Sequence, residues 1–195
     1  MNNDFWFRPL VWTDYRLAVL FTVILPLVLL VWALIQNSTA IIKLLTIYWR
    51  VSSLLAITVY LTIAGFPISF LTGLAARVLI PISLWYWQDI NDELNEEMGA
   101  LKFAVSAWRW ALTGYCVLGT LLGLLFLDCA FGSPVSDRCR VWFEPPLAFK
   151  GIFHAGTDPG TLGFWGIVGL VFYVACLVYF TTVKLGRRGR QALNP

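Results

Sequence analysis

Apolar residues in this chain come in long unbroken blocks, not in the alternation of a half-buried strand. Positions 17–35 and 164–183 contain no charged residue. Blocks of this length match the ~20 mainly apolar residues that a helix needs to cross a bilayer. Five such segments can be drawn, at 17–36, 45–65, 67–87, 103–127 and 164–183. Polar punctuation separates them: Asn37-Ser38-Thr39, an acidic run at 88–102 and a loop at 128–163. Between the second and third segments stands only Gly65-Phe66-Pro67, a tight break because proline lacks an N–H and restricts its predecessor. The third segment carries Pro67, Gly73, Arg77 and Pro81, so it reads either as a full span or as a re-entrant segment covered by protein.

Composition agrees. The chain of 195 residues is 59% hydrophobic and 13% charged, where a soluble domain has about 45–50% and about 25%. The expected fold class is an all-α polytopic transmembrane helical bundle, one integral membrane domain over 1–195 in contact with membrane lipid. The start, MNNDFWFRPL, has no basic n-region, so no removable signal peptide is expected.

Charge distribution sets the orientation. Lys184, Arg187, Arg188 and Arg190 make the tail at 184–195 basic, which points to a cytoplasmic C-terminus. With five spans and the N-terminus outside, eight basic residues lie inside and five outside. With four spans and the N-terminus inside, the split is nine to five. Both arrangements put the acidic run inside and the 128–163 loop outside.

The acidic run is bracketed by Trp85-Tyr86-Trp87 and by Trp108 and Trp110. These aromatic clusters are expected at the headgroup level. Between them Ile90, Leu94, Met98 and Leu101 recur at helical spacing. This predicts a short amphipathic cytoplasmic helix over 88–102, with Asp89 as a candidate N-cap. Asp92, Glu93, Glu96 and Glu97 then form an acidic face, read as a solvated surface or a docking surface for a basic partner. Metal binding is not expected, because no other ligand type stands nearby.

Arg77 is the one charge in mid-segment, costing roughly 2.5–3.5 kcal/mol on insertion scales. No carboxylate falls inside any of the five segments, so Arg77 is expected to snorkel, to bind backbone carbonyls or to meet a lipid phosphate. Cys129 and Cys139, ten positions apart in the outside loop, are a candidate disulfide. His154, the single histidine, excludes bis-histidine haem within one chain and reads as structural. Trp142 and Phe143 belong to an unusually apolar loop, expected to lie on the membrane or cover a partner. Gly119 and Gly123 in the fourth segment and Gly163, Gly166 and Gly169 in the fifth are expected to pack those two helices together, or to meet a partner. No Walker loop, dinucleotide fingerprint, HExxH, nucleophile elbow or Ser/His/Asp set is present. No catalytic residue, cofactor or nucleic-acid contact is expected.

The strings FRPLVWTDYRLAVLFTVILPL, WYWQDINDELNEE and WRWALTG resemble a family of small polytopic membrane proteins of unknown function from cyanobacteria. The resemblance implies a thylakoid or plasma membrane and, with it, a photosynthetic complex as partner. The expected function is that of a non-catalytic accessory, assembly or stabilising factor bound to other integral membrane proteins. The alternative is a small transporter or channel passing an anion or lipid headgroup along Arg77 and positions 67–81.

Overall fold

The structure is a computed structural model and describes residues 5–131, 136–184 and 192. The basic tail at 184–195 lies outside the described residues, apart from the backbone of Lys184 and Ala192. The described residues contain helices and no strand. The first long helix runs over Arg8–Gln36. It comprises α1 (Arg8–Val19), a π-helical turn (Leu20–Ile24) and α2 (Leu25–Gln36). Then come α3 (Thr39–Ile63), α4 (Ile68–Trp85), short α5 (Gln88–Glu96) and α6 (Ala100–Leu124). Two further short helices, α7 (Asp137–Arg140) and α8 (Glu144–Phe153), precede α9 (Pro159–Tyr179). Four helices are long and apolar enough to cross a membrane: 8–36, α3, α4 and 159–183. α4 is therefore one continuous 18-residue helix, running through Pro81. α6 has 25 residues but is not among the four, since Lys102, Ser106 and Arg109 dilute its first half.

Local chemistry explains the turns. Asn37 closes α2 in the left-handed region at φ 53°, where a short amide side chain is tolerated. Ser38 caps α3, its Oγ accepting from the Ile41 N–H at 3.4 Å. Gly65, at φ +72°, lets the Phe66 N–H return to the Leu61 carbonyl at 3.0 Å and reverses the chain into α4.

The five long helices alternate in direction. At one end Phe7 packs on Phe126, Glu144 pairs with Arg8, and His154 meets Tyr60. At the other, Ser38 donates to Glu97 and Phe180 packs on Trp87. The start of the chain therefore shares an end with the 125–158 segment, opposite α5 and the finish of α9.

The solid core fills the α5 half. Ile41, Leu44, Leu45, Tyr48, Ile80, Leu84, Val105 and Leu112 are fully buried there. Trp87 and Trp108 join them, 7% and 4% exposed, so these two are core residues and not headgroup markers; Trp110, 67% exposed, does face outward. The glycine stripes also pack differently from expectation. α9 lays Gly163, Gly166 and Gly169 on α3, where added Cβ atoms would come within 2.4 Å of Ala64, 3.0 Å of Leu61 and 3.2 Å of Ile57. α6 presents its glycines to α4 instead of α9.

The π-turn has a local cause. Pro26 has no N–H to give, and the Leu25 N–H bonds Leu20 O, five residues back. The carbonyls of Phe21 and Thr22 lose their helical donors. Trp108 Nε1 donates to Phe21 O at 2.9 Å and Tyr48 Oη to Thr22 O at 2.7 Å. Other helices thus satisfy a break that apolar surroundings would otherwise penalise. Beyond the break the two halves of the first helix have different neighbours: α2 packs on α3 and α6, and α1 packs on α8 and the turn before it.

Candidate functional site

Two polar constellations and a cavity stand out in this apolar frame. The first is built on Arg77. Its Nη2 pairs with Asp14 Oδ2, and its Nη1 donates to the Gly119 carbonyl at 2.7 Å. Tyr115 Oη donates to Asp14 Oδ1 at 2.9 Å. A Cβ on Gly119 would stand 2.9 Å from the guanidinium carbon, so the GxxxG of α6 makes room for an arginine.

The expectation that no carboxylate lies within a segment is corrected here. Asp14 sits about 9 Å along a helix that begins at Arg8, at a rise of about 1.5 Å per residue. The polar run Thr13-Asp14-Tyr15-Arg16 hid it by breaking the hydropathy. A signal was present: Pro9 suits a helix start, and Val11, Asp14, Ala18 and Thr22 share one face by spacing. The expected carbonyl partner of Arg77 is present as Gly119.

The second constellation surrounds Arg109, a buried cation that charge counting had assigned to the cytoplasmic side. It is 3% exposed. Nη2 donates to Leu84 O at 2.6 Å and to Asn91 Oδ1 at 2.6 Å, and the guanidinium lies 4.1 Å from the Trp85 ring centroid. Arg109 therefore caps the carbonyl end of α4, where a cation suits the helix dipole, and ties it to α5.

The acidic helix is α5. Ile90 and Leu94 are buried as the periodicity requires, but the helix ends at Glu96. Gly99 at φ +112° turns the chain into α6, which leaves Met98 95% exposed and moves Leu101 into the next helix. Asp89 is not the N-cap, a place taken by Trp87; its carboxylate accepts from the Ile90 N–H at 2.9 Å and the Ala192 N–H at 2.5 Å. Glu97 accepts from Ser38. Asp92, Glu93 and Glu96 are exposed and form no ion pair with the described residues.

At the opposite end, Cys129 and Cys139 are joined by a disulfide with Cα atoms 5.7 Å apart. Arg138 bridges Asp128 at 2.6 Å beside it. Trp142 and Phe143 are half-buried, packed on Phe126 and Phe70. Among the described residues of this segment the exposed large apolar side chains are Phe131, Leu147, Ile152 and Phe153. His154 Nε2 lies 3.4 Å from Tyr60 Oη.

The third feature is a cavity of about 600 Å³ where α1 stands away from α3. Arg77 and Asp14 lie in its wall, and Trp142, Pro145, Pro146 and Phe149 roof it. Among the described residues no group of three His, Cys, Asp or Glu side chains is placed to hold a metal.

Fold and composition together define a helical-bundle membrane protein. Residues 8–193 match a family described as "Protein of unknown function (DUF3177)", and the chain belongs to that family. No curated protein and no solved structure matches it.

Proposed function

We propose that this protein is a non-catalytic accessory, assembly or stabilising factor of a larger membrane complex, docking through the acidic face of α5. One observation carries the reading: α5 is fixed on every side except its acidic one. Ile90 and Leu94 anchor it in the core, Asn91 holds Arg109, Asp89 takes the Ala192 N–H, and Glu97 ties down Ser38. Asp92, Glu93 and Glu96 project from this rigid mount without ion partners among the described residues. A fixed array of unpaired charges favours fast, salt-sensitive association with a basic surface. The resemblance to cyanobacterial membrane proteins supports a thylakoid or plasma-membrane setting, a photosynthetic complex as partner and a cytoplasmic α5 and C-terminus.

The alternative, a path for an anion or lipid headgroup, needs a free cation. The pairing of Arg77 with Asp14 weighs against that role for Arg77. The test of the docking reading is co-purification in mild detergent of wild type and of a Glu93→Gln, Glu96→Gln, Asp92→Asn variant. The variant should lose its partner complex, and wild-type binding should weaken as salt rises. Unchanged recovery of the same complex by the variant would reject the proposal.

A further inference from the structure

The cavity between α1 and α3 has properties that the docking reading leaves unused. We propose that it binds one uncharged lipid: a single apolar chain whose head both donates and accepts hydrogen bonds, as a monoacylglycerol does.

Size comes first. About 600 Å³ holds roughly 20 groups of water or methylene size at ~30 Å³ each, inside the range of small-molecule sites. Access comes second. Val19 and Val23 on one lip and Ser53 and Ala56 on the other are exposed, so the mouth opens sideways between the first helix and α3. In a bilayer that flank faces acyl chains, while α8 closes the cavity toward water.

Charge selects the head. Asp14 and Arg77 are the charged residues of the lining, and they neutralise each other. The lining offers an anionic head no uncompensated cation: to gain one it would have to draw Arg77 from Asp14, leaving a carboxylate uncompensated in apolar surroundings, which is costly. A cationic head would strip Asp14 from Arg77 with the same penalty. A neutral head leaves the pair intact.

Ser69 supplies one further polar contact; the indole Nε1 atoms of Trp49 and Trp142, in the same lining, are also buried without a hydrogen-bond partner among the described residues. Ser69 is 4% exposed and lines the cavity, and its hydroxyl makes no hydrogen bond with the described residues. Its neighbours in the wall differ. The hydroxyls of Thr22, Thr58 and Thr62 each donate to the carbonyl four residues back, and Ser53 to the one three back. Buried hydroxyls are normally paired. Ser69 is therefore left for an occupant together with the Trp142 indole N–H of the roof, at the α8 end of the cavity where a headgroup would lie, with the chain running toward the π-turn.

The test uses full-length protein in lipid nanodiscs and three probes sharing one oleoyl chain: monoolein, oleic acid and lysophosphatidylglycerol. Native mass spectrometry reads the bound fraction at matched probe concentration. One monoolein per chain is expected, at least tenfold preferred over both charged probes. Ala56→Trp, which places a ring at the exposed lip, should reduce monoolein occupancy at least tenfold. Ser69→Ala should reduce it threefold to tenfold with helicity and unfolding unchanged. Equal or stronger binding of a charged probe, wild-type occupancy in Ala56→Trp, or no adduct with any probe would each overturn the proposal. If Ala56→Trp fails to fold, the three-probe comparison on the wild type decides by itself.

Discussion

Removing the Asp14 carboxylate tests whether the buried ion pair holds the bundle together. Asp14→Asn keeps the side-chain shape and removes the charge that balances Arg77. Arg77 then retains the Gly119 carbonyl as acceptor, and Tyr115 loses a charged acceptor for its hydroxyl. Breaking a buried pair from one side typically costs about 3–5 kcal/mol. The side chains of Arg77 and Asp14 keep 16% and 17% of their exposure, so the expected loss is discounted to roughly 2–3 kcal/mol. Arg77→Gln should cost a similar amount. The double variant should be less destabilised than the sum of the singles by about 1–3 kcal/mol, because neither charge is then left alone. Reversible unfolding in mixed micelles, followed by tryptophan fluorescence and circular dichroism, measures all four corners of the cycle. Additive losses, or an Asp14→Asn variant within about 0.5 kcal/mol of wild type, would refute the view that these residues act as a pair.

Three further expectations follow from contacts elsewhere. Gly119→Leu pushes a side chain into the Arg77 guanidinium and should destabilise the same unfolding transition by at least ~1–3 kcal/mol, whereas Gly114→Leu, with open space around it, should not. Arg109→Lys keeps the charge but loses the planar stack on Trp85 and the shared contact to Leu84 O and Asn91; a loss of about 1–3 kcal/mol is expected in that assay, with α5 the first segment to gain hydrogen exchange. Reducing Cys129–Cys139 opens a ring that chain-entropy reasoning values at about 3 kcal/mol, and limited proteolysis should then cut within 128–158 faster than in the oxidised protein.

Block hydropathy alone determined that this is a multi-helix membrane protein, because apolar runs of bilayer length have no other stable setting in so small a chain. It also fixed the turns at Asn37-Ser38 and Gly65, whose backbone and capping preferences are local, and the burial of Ile90 and Leu94, which follows from helical period. The structure decided what depends on residues distant in sequence. Hydropathy placed the first segment at Leu17 and so put Asp14 outside; only its contacts with Arg77 on α4 and Tyr115 on α6 show where it faces. Glycine spacing announced close approach but not the neighbour, since any helix or a guanidinium can fill the gap. Trp87 and Trp108 have the composition of interfacial anchors, yet both are buried, Trp108 against Tyr48 and the Phe21 carbonyl and Trp87 against Phe180. The cavity is walled by the first helix as far as its π-turn, by α3 and by α4, and roofed by residues some 130 positions later in the chain than the first wall. No local pattern encodes such a space, because it is defined by where three distant segments fail to touch.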